Sequence, residues 1–208
     1  MSEGLRELKK RQTHAAIAAA ADALFRRHGY AAVTVDDVAR AALVSKKTVF
    51  NHFPTKEDLV FDRAETRAAE LRALVLDRPA GTNLFDAFGR LCLAQADDLP
   101  AIRARQQQGN GFFRLVEDNP ALRRKMLEVN EALHQTLAAS IAQASAAPPD
   151  DVVPQILAAA LVSARRSLFQ QLRRHLAECP DDATVRRAHR RRVRHAVGQL
   201  RSGFGAYS

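Results

Sequence analysis

Residues 34–56 read TVDDVARAALVSKKTVFNHFPTK, and the spacing of three capping residues in this stretch decides the fold. Thr34, Ser45 and Thr55 each carry a side-chain oxygen that can accept a hydrogen bond from an unpaired N–H in the first turn of a helix. Each is flanked by the apolar pair of a hydrophobic staple: Val33 with Val38, Val44 with Val49, Pro54 with Leu59. Asp37 and Asp58 fall three residues after their caps, where a carboxylate reaches back to the cap and favours the positive end of the helix. The spacing predicts a short helix over 35–41 and a second over 46–53. A third starts after Thr55 and runs through Leu59, Leu71 and Leu74 toward Pro79. Upstream, Ile17, Ala20, Ala21, Leu24 and Phe25 share one helical face, and Gly29 ends that helix. Closely spaced helices with fixed entry angles are the local code of a helix-turn-helix.

Outward from this segment the periodicity stays helical, and no alternating strand pattern is found. Leu84, Phe88, Leu91 and Gln95 mark one face, ending near Pro100. A helix from about Ala101 breaks at Gly109-Asn110-Gly111, before Phe112 and Phe113. Leu122, Met126, Val129, Leu133, Leu137 and Ile141 form a long stripe after Pro120. Residues 144–151, ASAAPPDD, read as a linker. Two more long helices follow, one carrying Leu157, Leu161, Ala164, Leu168 and Leu172, the other Val185, His189, Val193, Ala196, Leu200 and Phe204. The predicted fold is all-α with about nine helices. Residues 1–56 form one three-helix domain holding the helix-turn-helix, and 57–208 a larger helical domain.

Composition sets the outer bounds. The chain has 208 residues, of which 47% are hydrophobic and 26% charged, an ordinary globular balance. No run approaches the ~18 apolar residues of a membrane span. The first residues lead into a polar, basic stretch without an apolar signal core, so a cytoplasmic location is expected. Cys92 and Cys179 are too few and too far apart for a disulfide framework or a zinc site, and read as reduced thiols. The net charge is +9, but residues 1–60 hold ten Lys/Arg against seven Asp/Glu, while 160–208 hold eleven against three. Charge alone therefore favours a polyanionic partner without locating where it binds.

The 34–56 stretch resembles the DNA-binding signature of the TetR (tetracycline repressor) family, T-x-x-D-I-A-x-x-A-G-V-S, then a short helix, then Y-x-H/Y-F-x-x-K. The resemblance covers about residues 10–62, and behind it only the layout of helices is similar. It implies a dimeric transcriptional regulator, a repressor released from a palindromic operator by a small-molecule effector. Ser45 caps the recognition helix, whose N-terminal amides face a phosphate. Lys46, Lys47 and Asn51 lie on its exposed face, where lysine donates to guanine O6/N7 and asparagine pairs with adenine N6/N7. Thr34, Thr48, His52 and Lys56 match phosphate-contacting positions of the family, which position a protein without reading sequence. Lys9, Lys10 and Arg11 read equally as a backbone-tracking arm or as a solvated basic terminus. Two residues depart from the pattern. Leu43 stands at the turn glycine, so either the turn relaxes or the chain bears a positive φ costing about 1 kcal/mol. Phe50 stands at the tyrosine, has no hydroxyl for a phosphate, and is assigned to packing.

The resemblance also places a dimer seam on the last two long helices, through Leu157, Leu161, Leu168, Leu172, Val193, Ala196 and Leu200. It places an effector pocket among Phe85, Phe88, Leu91, Cys92, Phe112, Phe113, Leu133 and His134, suited to a small apolar or aromatic molecule. The expected partners are double-stranded operator DNA and a second copy of the chain, with no membrane, metal or cofactor. No Ser-His-Asp set, phosphate-cradling glycine loop or metal-spaced cluster points to an enzyme. The dense arginines of 165–194 admit two readings, a solvated helix-favouring face or a surface for an acidic partner, nucleic acid or membrane.

Overall fold

A computed structural model describes residues 2–79, 81–107 and 112–205; among these are ten helices and no strand. The chain divides into two compact units, Met1–Arg63 with Asn110–Glu128, and Ala64–Gly109 with Val129–Ser208.

In the first unit, α1 (Ser2–His28) ends where Gly29 takes φ +80 and its N–H returns to Phe25 O at 2.9 Å. The helix continues through Lys9, Lys10 and Arg11, which are exposed positions on it and not a separate arm. Helices α2 (Val35–Ala41) and α3 (Lys46–His52) begin where their caps predict. Thr34 and Asp37 form a reciprocal capping box, and Ser45 Oγ accepts from Thr48 N at 3.0 Å. Ile17, Ala21, Phe25, Val38, Val49 and Phe53 are buried as the shared core of these helices, α1 against α2 and α2 against α3. Helix α7 (Phe112–Glu117) and the start of α8 (Pro120–Ser145) add Val116 and Leu122 to the buried residues of this unit.

The helix predicted from Thr55 does not propagate. Its cap forms, with Thr55 N and Oγ1 donating to Asp58 Oδ2 at 2.8 and 2.7 Å. Yet the chain stays in turns until α4 (Ala64–Leu76). Leu59 and Phe61 are both buried along this turn. Lys125 Nζ, 2.7 Å from Asp58 Oδ1, holds that turn. Burial alone would raise the Asp58 carboxyl, and its bonds to Lys125 and Thr55 together outweigh that and lower it.

The turn between α2 and α3 resolves the Leu43 alternatives. Leu43 takes φ 55, with its N–H on Arg40 O at 3.3 Å and Val44 N on Ala39 O at 3.0 Å. This is the paired bonding of a Schellman motif, which needs a left-handed residue at that point. The Leu43 side chain is 93% exposed, so the strain brings no packing in return. Leu43→Gly is expected to stabilise the fold by about 1 kcal/mol, net of glycine's greater unfolded-state entropy. Thermal unfolding tests this: a lowered Tm would mean that the leucine contributes something its exposure does not reveal.

In the second unit, α5 (Leu84–Ala94) packs against α4, α9 (Val153–Glu178) and α10 (Asp182–Phe204), while α6 (Leu99–Gln107) packs on α9. Gly89 allows the approach of α10: a Cβ there would lie 3.3 Å from Val197 Cγ2. Phe85, Phe88, Leu157, Leu161 and Leu172 are fully buried. His189, 1% exposed, bonds the Cys92 carbonyl through Nε2 at 2.9 Å. Burial, reinforced by the nearby Arg192 charge and only partly opposed by that hydrogen bond, holds His189 below its ordinary value of 6.5. The unfolded chain therefore binds this proton more readily than the folded one. The corresponding stability is present above pH 6.5 and is lost as pH falls below it toward the folded value. His52 is shifted in the same direction, chiefly by burial. Tm is expected to fall between about pH 7.5 and 5.5, and His189→Gln to flatten that slope. A profile unchanged by the substitution would remove His189 from the account.

Candidate nucleic-acid interface

The short helix α3 presents its outer face to solvent because its inner face is fixed by Val49, 0% exposed, and by the Phe53 at its end. Lys47 and Asn51, four residues apart and hence on the same side, are exposed and have no hydrogen bond or ion pair among the described residues. Phe50 lies beside them and is 41% exposed. The ring assigned to packing from sequence is thus partly covered and partly an apolar surface among polar neighbours.

The other predicted contacts are engaged within the protein. Lys46 Nζ is 2.8 Å from Asp36 Oδ2, which ties the start of α3 to α2. Ten residues separate the two, a spacing with no local signal in sequence. Thr34 Oγ1 donates to Asp37 Oδ2 at 2.6 Å, and that bond, with the one from the Thr34 backbone, holds the Asp37 carboxyl below its usual range. Ser45 Oγ and Thr48 Oγ1 are 2.8 Å apart. Lys56 is drawn inward: its Nζ donates to Tyr30 O at 2.6 Å and lies 4.1 Å from the centre of the Tyr30 ring. Burial holds the Lys56 ammonium below its ordinary value. Tyr30 donates in turn to Glu57 Oε1 at 2.9 Å; burial and this acidic partner push its phenol pKa upward. His52 is half-buried, with its ring 5.9 Å from that of His14. The eight predicted residues therefore sort into a free pair, Lys47 and Asn51, and a braced set that fixes α2 and α3 around it.

The second unit places the remaining predicted residues differently. Leu157, Leu161, Leu168, Leu172 and Val193 are at most 7% exposed within a single chain, so they fill its own core. Their stripes face inward because α5 and α10 cover α9. Of the predicted seam, only Ala196 and Leu200 keep part of their surface. Phe85, Phe88 and Cys92 are 0% exposed and Leu133 is 8% exposed, while Leu91 is half-buried. Burial pushes the Cys92 thiol up to about 12, so it stays protonated. His134 Nε2 bonds Gln155 O at 3.0 Å, and its Nδ1 lies 3.8 Å from Glu131 Oε2. The side chains of Phe112 and Phe113, and Gly109-Asn110-Gly111, lie outside the described residues.

Two short capped helices that hold an exposed Lys/Asn pair on a braced frame define a helix-turn-helix DNA-binding protein. The family model of bacterial regulatory proteins of the tetR family matches residues 17–62, and that of the MftR C-terminal domain matches 83–194. The chain is 30% identical over 151 residues to the HTH-type transcriptional regulator TcmR of Streptomyces glaucescens, covering 71% of this chain and 67% of TcmR. It is 26% identical over 149 residues to MftR of Mycobacterium tuberculosis, covering 71% of this chain and 73% of MftR. Salmonella enterica GusR shares the fold with a TM-score of 0.57 at 18% identity, over 92% of this chain and 94% of GusR. The chain belongs to the TetR family, and is a DNA-binding transcriptional regulator, not an enzyme. No helix among the described residues is long and apolar enough to cross a membrane.

Proposed function

We propose that the protein is a cytoplasmic homodimeric repressor that leaves a palindromic operator when a small apolar or aromatic effector binds. The observation that carries the reading is the exposed Lys47–Asn51 pair on α3, which has no partner among the described residues. Residues 1–56 read the operator, Lys47 donating to guanine and Asn51 pairing with adenine, with Phe50 against a thymine methyl. Thr34, Ser45, Lys46, Thr48, His52 and Lys56 set the register, through phosphate contacts or by bracing the pair. One such helix reads few bases, so two copies on adjacent half-sites are required for a specific operator.

Residues 57–208 supply dimerisation and effector binding. With Leu157, Leu161, Leu168 and Leu172 committed to the subunit core, the seam uses residues of the same helices that keep part of their surface: Ile156, 52% exposed, with the half-buried Ala196 and Leu200. Homodimers and ligand responsiveness are typical of the family. The effector enters the region of Phe85, Phe88, Leu91, Cys92, Leu133 and His134, and favours a conformation whose two heads no longer match the half-site spacing. Selection of binding sites from random duplex DNA, at fixed salt, tests the core of the proposal. A palindrome with two half-sites supports it; recovery of sequence-independent binding alone overturns it.

A further inference from the structure

We propose that the outer face of α10 is a second, sequence-independent surface for duplex DNA. It rests on the operator-binding reading only for which polyanion the chain meets. Val185, Ala188, His189 and Val193 mark the inward side of α10. On the opposite side, Arg187, Arg190, Arg191, Arg194 and Arg201 are all exposed, while Arg186 at the flank turns inward and its Nε donates to Ala96 O at 3.3 Å. Its ends are partly neutralised, Arg187 by Asp181 at 3.8 Å and Arg201 by Asp86. In the middle, Arg190, Arg191 and Arg194 have no acidic partner or hydrogen bond among the described residues. Two pairs of like charge, 187–191 and 190–194, stand one turn apart on this face, an arrangement that weakens a helix when nothing counters it.

The composition of the face selects the partner. A protein partner would need apolar or aromatic anchors at the centre of the contact. A membrane-surface helix would need large apolar residues beside its cations. None of the exposed large hydrophobic residues belongs to α10, the positions between these arginines on the outer face are Ala183 and Gly198, and Val197 at its border is half-buried against Gly89. All the strong cations are arginine, whose fork suits phosphate oxygens. A straight helix of 23 residues, roughly 35 Å long, offers them at regular intervals along a duplex backbone. Ala196 and Leu200, assigned to the dimer seam, lie on roughly the opposite side of α10 at 3.6 residues per turn, so both surfaces are usable together.

Fluorescence anisotropy of the full chain on a labelled non-operator duplex, over a salt series, tests this. Replacing Arg190, Arg191 and Arg194 together by Gln is expected to weaken that binding about 10-fold or more. It should also lower the log–log salt slope by about 2–3, at roughly 0.9 for each phosphate no longer neutralised. The same three positions changed to Lys should retain most of the slope, which separates charge from folding. Should the Gln variant fail to fold, the single change Arg191→Glu is read instead and must lower both quantities. Lys47→Ala with Asn51→Ala should abolish operator preference and lower the non-operator slope by no more than the roughly 0.9 of the one cation removed. Unaltered affinity and slope in the Gln variant overturn the proposal, as does a change in its oligomeric state by light scattering, which would make the face a contact between copies. Absence of operator preference in the unmodified protein sinks the repressor reading alone.

Discussion

Lys47→Ala and Asn51→Ala are each expected to weaken operator binding by about 1–3 kcal/mol, roughly 5- to 150-fold, with the loss concentrated at one base pair of each half-site. In the free protein both side chains are exposed and unpartnered among the described residues, so removing them breaks nothing in the fold. Val49, fully buried one residue from Phe50, keeps α3 seated in either variant. The Tm of both should therefore match that of the unaltered chain, and the whole effect should appear in binding. Lys46→Ala provides the contrast, since its ammonium already pairs with Asp36. An exposed pair of that kind contributes at most about 1 kcal/mol, and its loss should weaken binding to all operators evenly. Anisotropy titrations against operators substituted one base pair at a time separate the two behaviours. A uniform loss in Asn51→Ala would assign that residue to the phosphate backbone; no loss in either variant would remove α3 from the groove.

The difference between these lysines shows what the sequence could and could not reveal. The starts of α2 and α3 were legible, because caps and staples act through neighbours three to five residues away. The Schellman turn was legible as a question, since a leucine at a left-handed position is either strained or displaced, and only φ decides. The pairing of Lys46 with Asp36 and the capture of Lys56 by Tyr30 were not legible. They join residues ten and twenty-six apart through side-chain reach that no periodicity encodes. The same limit applies to α9. A stripe of leucines announces one buried face, but whether a partner chain or the chain's own α5 and α10 buries it depends on packing. Here the stripe is buried within one chain.

Arg103→Ala is expected to lower the stability of the second unit by about 2–3 kcal/mol and Tm by roughly 5–10 °C, the largest single loss outside the apolar core. Arg103 lies on α6, and its guanidinium closes the end of α9. Nη1 donates to Leu176 O at 2.7 Å, and Nη2 to Cys179 O at 3.0 Å and Asp182 Oδ1 at 2.7 Å. The last carbonyls of a helix have no partner inside it, so an external donor is required wherever they are withdrawn from water. This donor also fixes the turn that aims α10. Beneath it, Ala96, Leu99, Leu172, Leu176 and Val185 form a buried cluster that depends on that aim. The Arg103–Asp182 side chains are 25% and 31% exposed, so the ion pair itself is partly screened and the carbonyl bonds make up most of the effect. The two contributions separate experimentally. Asp182→Asn removes the charge pair alone and should cost less than about 1 kcal/mol. Arg103→Lys retains the charge but loses the fork, and should fall between the alanine variant and the unaltered chain. If Asp182→Asn proved as damaging as Arg103→Ala, the ion pair and not the carbonyl capping would hold the turn. If neither moved Tm, the end of α9 would have to be satisfied by water.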